Sequence, residues 1–156
     1  MAHVSESIQV ECPVDEVYNQ WTQFEEFPRF MGGIEQVTQT DDTHLHWKAN
    51  IAGRTAEWDA EITEQVPDQV IAWKATQGAT NSGRVRFEGG GGETSISLEM
   101  DVEPQDGLER AADIMGMLQQ QVREDLNRFK QLIESRGEAS GAWRGEVKDG
   151  ETQSRS

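Results

Sequence analysis

Apolar and polar residues alternate near the start of the chain. Val4, Ile8 and Val10 stand among polar neighbours over residues 3–11, the period of a strand with one buried face. Pro13 then suits a first helical position, where its missing N–H is no loss. Asp15 and Glu16 follow in the first turn, where the helix dipole favours carboxylates. Val14, Val17, Tyr18 and Trp21 share one face of this short helix. A second short helical piece, Phe24 to Met31, carries Phe24, Phe27, Phe30 and Met31; Pro28 interrupts it and Gly32-Gly33 ends it.

From about residue 34 to 103 the pattern is strand after strand. The spacing predicts strands near 34–40, 44–51, 54–65, 69–77, 82–88 and 93–102. Turn signals separate them at Asp41-Asp42, Gly53, Pro67-Asp68, Asn81-Ser82-Gly83 and Gly89 to Gly92. Connections this short demand antiparallel neighbours. Pro104 closes the sheet. From about Gly107 to Arg136 the chain reads as one long helix, with Leu108, Ala111, Ala112, Met115, Leu118, Val122, Leu126, Phe129 and Ile133 in a stripe at spacings of three and four. Gly137 is its expected cap. The Gly-, Ser- and charge-rich residues 138–156 show no periodicity and are expected to be a disordered acidic and polar tail. The organisation is thus a folded unit over 1–137 and a tail over 138–156.

Alternation assigns the faces of the sheet. One face collects Leu45, Trp47, Ala49, Ile51, Ala56, Trp58, Ala60, Ile62, Ile71, Trp73, Ala75, Val85, Phe87, Ile96, Leu98, Met100 and Val102. The other collects His44, His46, Lys48, Glu57, Asp59, Glu61, Lys74, Arg84, Arg86, Glu99 and Asp101. The second set changes sign from strand to strand, so a simple meander places opposite charges across from one another. These charges are read as structural. The first set is almost uncharged and must be covered. Each buried tryptophan removes roughly 150–250 Å² from water, which makes Trp58→Ala, at a central position, an expected loss of about 3–5 kcal/mol. The long helix is the one segment able to cover this face, spanning roughly 45 Å but only about 10 Å wide. A sheet of about seven strands is far wider than that. It must therefore curl around the helix, leaving a space for the short N-terminal helices to lid. The fold class is α+β, a curved antiparallel sheet of about seven strands wrapped around a long C-terminal helix, with two short helices after the first strand.

Charge and composition narrow the function. A formal charge of −15 over 156 residues disfavours nucleic-acid backbones and anionic lipid surfaces. The single cysteine, Cys12, forbids an internal disulfide and fits a reducing compartment. No signal-peptide pattern or membrane-length apolar run is seen, so a cytoplasmic protein with no integral membrane segment is expected. His44 and His46 share the outer face as a solvated pair, short of the three or four ligands a metal site needs. Cys12 has no activating base in sequence and reads as a passive thiol. The run Gly89 to Gly92 lacks the Lys-Ser/Thr and the following helix of a phosphate-binding loop. No cofactor motif is present.

The segment Trp21-Thr22-Gln23-Phe24-Glu25-Glu26-Phe27-Pro28-Arg29-Phe30-Met31, with His46-Trp47-Lys48 and Glu57-Trp58-Asp59-Ala60-Glu61-Ile62, resembles bacterial polyketide cyclase/dehydrase-like proteins of the START-related superfamily, to which the coenzyme Q-binding proteins are also related. The resemblance covers about residues 3–136. It implies a helix-grip domain enclosing a hydrophobic cavity between sheet and long helix, and a small apolar ligand such as a lipid, quinone or polyketide.

The expected cavity lining is Phe27, Phe30, Met31, Trp47, Trp58, Trp73, Phe87, Leu98, Met100, Met115 and Leu118, with Gln77 and Asn81 as polar groups that orient a ligand. Thr94, Glu64 and Arg54 are further inward or rim candidates. The alternative for the apolar residues is plain core packing. The sheet's carboxylates point outward, so no catalytic set is apparent. Binding or carriage of a small hydrophobic molecule is therefore preferred to a cyclase/aromatase-like enzyme acting on a polyketide-like substrate, and to a partner-binding module that uses the tail or the sheet edge.

Overall fold

A computed structural model describes residues 2–51, 54–78, 80–102 and 111–153, with the backbone alone at 2, 51, 54, 111–115 and 153. Strand β1 (Ala2–Val10) leads into helix α1 (Val14–Trp21) and a 3-10 helix, Phe24–Arg29. Strands β2 (Ile34–Gln39), β3 (His44–Ile51), β4 (Arg54–Val66), β5 (Val70–Gly78), β6 (Asn81–Gly90) and β7 (Glu93–Val102) follow, then helix α2 (Ala111–Arg136). The expected start of the long helix, at Gly107 and Leu108, lies outside the described residues, as does Pro104. Strands β8 (Glu146–Lys148) and β9 (Glu151–Gln153) end the chain. The sheet runs β1-β7-β6-β5-β4-β3-β2, all antiparallel, so the meander is closed at one margin by the N-terminal strand. This is the helix-grip arrangement.

Helix α2 lays Leu118, Val122, Leu126, Phe129 and Ile133 against the sheet, all buried. Their spacing of four, four, three and four keeps them on one stripe. Phe129 meets Trp21 of α1 at 4.9 Å between ring centroids and Phe30 at 5.2 Å. The two N-terminal helical pieces therefore close over the same core as α2.

On the outer face the sign alternation sets opposite charges in register. Glu61 faces Lys74, and Arg84 faces Glu99, across adjacent strands. His46 lies between Asp59, at 2.7 Å, and Glu57, at 3.3 Å. The hydrogen bond to Asp59 raises the imidazole above its ordinary value, against a smaller opposing effect of burial. His44 pairs instead with Asp41 of its own turn. These exposed pairs fix register and contribute little each.

Two bulges in the β4–β5 ladder shift the parity of the sheet. Beyond the first, Asp59 rather than Trp58 faces Gln77, so Gln77 joins the outer face and is exposed. The expectation of an inward Gln77 is thereby corrected. Beyond the second, Gln65 faces Ile71 and is fully buried, while Glu64 turns outward to Arg84 at 3.4 Å.

The C-terminal segment also differs from the expected disordered tail. Strand β3 begins at His44, opposite Glu61, but β4 runs on past that point to Val66. The open edge of that overhang is taken by β8, which pairs Lys148 with Glu64 and Val147 with Gln65. Asp149 and Gly150 both have positive φ, 53° and 78°, and form the two-residue turn of the β8–β9 hairpin, for which Asp-Gly is a preferred sequence. Upstream of β8, Ser140 and Trp143 donate their backbone N–H groups to Gln20 and Thr22. Arg144 bonds Asn19 and Asp68 and lies over the Tyr18 ring. Periodicity could not find this segment because its anchors are single residues spread along irregular chain.

Candidate functional site

Between the inner face of the sheet, the 3-10 helix and α2 lies a cavity of about 160 Å³. Its sheet wall carries Trp47, Trp58, Trp73, Leu98 and Met100; the lids contribute Trp21, Phe24, Phe27 and Met31; α2 contributes Leu118, Gln121, Val122, Asp125 and Leu126. Antiparallel pairing of β3 with β4 sets Trp47 directly across from Trp58. Their rings stack 5.9 Å apart with an interplanar angle of 7°. Phe27 closes on Trp47 at 5.6 Å. On the same wall, Trp73 donates its indole N–H to Asn81 at 3.2 Å.

Of the residues expected to line this space, Phe27, Met31, Trp47, Trp58, Trp73, Asn81, Leu98, Met100 and Leu118 stand on its wall. Phe30 and Phe87 do not; they belong to the solid core, where both pack against Trp21. Thr94 is buried elsewhere, donating to the Cys12 carbonyl at 2.8 Å. Gln77 is on the outer surface. The side chains of Met115 and Arg54 lie outside the described residues. Cys12 is buried, and burial pushes its thiol up, with Glu16, Asp15 and Glu134 adding to the effect. That is the setting of an inert thiol. Among the described residues no group of three His, Cys, Asp or Glu side chains could hold a metal ion, and no helix is long and apolar enough to cross a membrane.

Asp125 is the charged group among the described wall residues, and inspection of the chain missed it. Its Oδ1 accepts hydrogen bonds from the Gly32 backbone N–H at 3.0 Å, from Gln121 at 2.9 Å and from Arg128 at 3.2 Å. It thus latches the turn after the 3-10 helix to α2. A Cβ on Gly32 would lie 2.7 Å from the Arg128 guanidinium, which limits how large a residue the turn can carry. The carboxyl is 12% exposed. Burial raises its pKa above 3.8, and the three donors only partly oppose this. The folded state therefore holds the proton more tightly than the unfolded state, the reverse of a salt-bridged aspartate. Ionised Asp125 costs stability above its folded pKa, and the cost vanishes as pH falls from there towards the ordinary carboxylate value. Asp125→Asn keeps the acceptor for Gly32, so it is expected to melt at or above the wild-type temperature near neutral pH. The difference should shrink on acidification. A clear drop in melting temperature at neutral pH would show instead that the negative charge itself holds the turn.

Comparison with known proteins places this geometry. An uncharacterized 17.2 kDa protein from the melC2–rnhH intergenic region of Streptomyces lincolnensis is 46% identical over 149 residues, covering 94% of this chain and 99% of that protein. A START superfamily protein from Mycobacterium smegmatis superposes with a TM-score of 0.69 at 16% identity, over 85% of this chain and 99% of that one. The Zhui aromatase/cyclase from Streptomyces sp. R1128 does so with a TM-score of 0.70 at 18% identity, over 90% and 98%. Identities this low establish the shared fold. Residues 10–131 match the family model described as polyketide cyclase / dehydrase and lipid transport, and with a helix-gripping sheet around an apolar cavity, the chain belongs to that family.

Proposed function

We propose that the protein binds and carries a small hydrophobic molecule in the cavity between the sheet and α2. The observation that carries this reading is the wall itself. A cavity of about 160 Å³ is lined almost wholly by aromatic and aliphatic side chains, whereas protein interiors ordinarily close such spaces. Cavities of this kind with few polar groups are the common form of small-molecule sites. A free thiol in the core suits a reducing compartment, and we assign the protein to the cytoplasm.

The test is titration with the neutral two-ring fluorophore 1-aminonaphthalene, a size the cavity can hold. Saturable enhancement at one probe per chain is expected. It should be lost in Ala56→Phe, which fills the cavity from the β4 side, while circular dichroism shows the fold retained. Enhancement that does not saturate, or that survives in Ala56→Phe, would refute the cavity as the site.

One observation favours a second reading, a cyclase- or dehydrase-like enzyme. Asp125 is a carboxyl of raised pKa on the wall of the cavity, and such a group can pass a proton to or from a bound molecule. Under that reading Asp125→Asn retains probe binding and abolishes turnover.

A further inference from the structure

The stacked indoles carry a feature that packing alone does not require. The Nε1 atoms of Trp47 and Trp58 are both buried, and among the described residues no group accepts a hydrogen bond from either. A buried donor left unpaired is costly, so most find a partner. Trp73, on the same wall, has one in Asn81. Trp58 is 8% exposed and both rings face the cavity. Among the described wall residues there is no lysine, arginine or histidine, and the charged group present is the carboxylate Asp125.

From this we infer that Trp47 and Trp58 are the specificity-determining donors of the site, selecting an uncharged molecule of one or two rings that carries an acceptor oxygen, such as a ketone or quinone carbonyl. The inference rests on the ligand-binding reading above. Size sets the number of rings, since an engineered apolar cavity of about 150 Å³ holds benzene. Charge sets the neutrality. A carboxylate ligand would be desolvated beside Asp125 with no countercharge on the wall, and a buried unpaired charge is strongly unfavourable. The two unpaired donors set the acceptor. An oxygen that accepts from an indole N–H recovers a hydrogen bond that a pure hydrocarbon cannot make, and it does so where low dielectric strengthens the interaction.

The discriminating probes share one skeleton. 1-Tetralone has two rings and a carbonyl, tetralin has the same rings without it, and 1-naphthoate has two rings and a charge. Burial of hydrocarbon alone ranks tetralin first, because the ketone gives up its hydration on entry. Paired with the indoles, 1-tetralone instead binds about tenfold tighter than tetralin, the value of one well-made hydrogen bond, and 1-naphthoate binds weakest. Trp47→Phe and Trp58→Phe each reduce the tetralone-to-tetralin ratio. The ratio is read by calorimetry, so a general loss of affinity in a variant does not imitate the effect. In the wild-type protein, the infrared carbonyl stretch of ¹³C-labelled 1-tetralone shifts to lower frequency on binding, a measurement that needs no variant. Equal or tighter binding of tetralin, or an unshifted carbonyl stretch, would overturn the assignment of the indoles and leave the binding site standing. If 1-aminonaphthalene and all three compounds fail to bind, the site reading and this inference fall together.

Discussion

Trp21→Ala is expected to cost about 3–5 kcal/mol, the largest loss of any single substitution considered for this chain. Trp21 is 3% exposed. Its ring meets Phe27 at 5.7 Å, Phe30 at 6.3 Å, Phe87 at 6.0 Å and Phe129 at 4.9 Å. Those four rings come from the 3-10 helix and the residue after it, from β6 and from α2, so one side chain ties both lids to both halves of the grip. Its removal cannot be repaired by collapse, because each neighbour is held by a different element. Trp58 is the instructive contrast. Reading the chain alone gave Trp58→Ala the same cost. Trp58, however, belongs to a small satellite cluster with Ala49 and Ala60, stacks on Trp47 alone among the aromatic rings near it, and faces the cavity. Fewer atoms lose contacts when it is truncated, and about 2–3 kcal/mol is now expected. Chemical denaturation of the two variants checks the order. Trp58→Ala proving the costlier would mean that the wall, and not the four-ring junction, is the mechanical centre of the domain.

The difference between these two tryptophans marks the limit of what the chain discloses. Period-two alternation placed every strand of the meander and put Trp47, Trp58 and Trp73 on one face, because each of those positions is fixed by local geometry. Whether an inward residue packs solidly or borders open space depends on what the opposite element brings to it, which no local pattern records. Phe30 and Phe87 look like Phe27 and Leu98 in the sequence, yet the first pair fills the core and the second lines the cavity. Parity also fails silently at bulges. One inserted residue at Thr76 turned Gln77 outward, and another at Thr63 turned Gln65 inward. Asp125 escaped for a different reason. It sits in the polar run Arg123-Glu124-Asp125, although its spacing of three from Val122 and four from Phe129 places it at the margin of the buried stripe. That spacing was the available signal. The relation of a polar residue to the helix stripe was more informative than its polar neighbours.

Deleting residues 138–156 is expected to lower stability by about 1–3 kcal/mol and the melting temperature by several degrees, against the unchanged value that a disordered tail implies. Described residues of the segment make three kinds of contact. Val147 is fully buried and is the hydrophobic anchor of β8 on the β4 edge. Arg144 joins Asp68 at 2.7 Å while covering Tyr18. The N–H groups of Ala139, Ser140 and Trp143 end on Glu16, Gln20 and Thr22, two of which, Gln20 and Thr22, are buried. Holding this segment in place costs backbone entropy, so the net effect of deleting it is far smaller than the sum of these contacts. It is still a loss, because deletion takes the Ser140 N–H from buried Gln20 and the β8 pairing from the edge of β4. Val147→Asp isolates the cause. It puts a charge where the anchor was, so it should detach the hairpin and lower stability by about as much as the full deletion. Hydrogen exchange should then show the amides of β8 and β9 unprotected while those of β5 to β7 keep their protection. A deletion variant that melts with the intact chain would mean that β8 rests on the sheet without stabilising it, leaving the overhang of β4 self-sufficient.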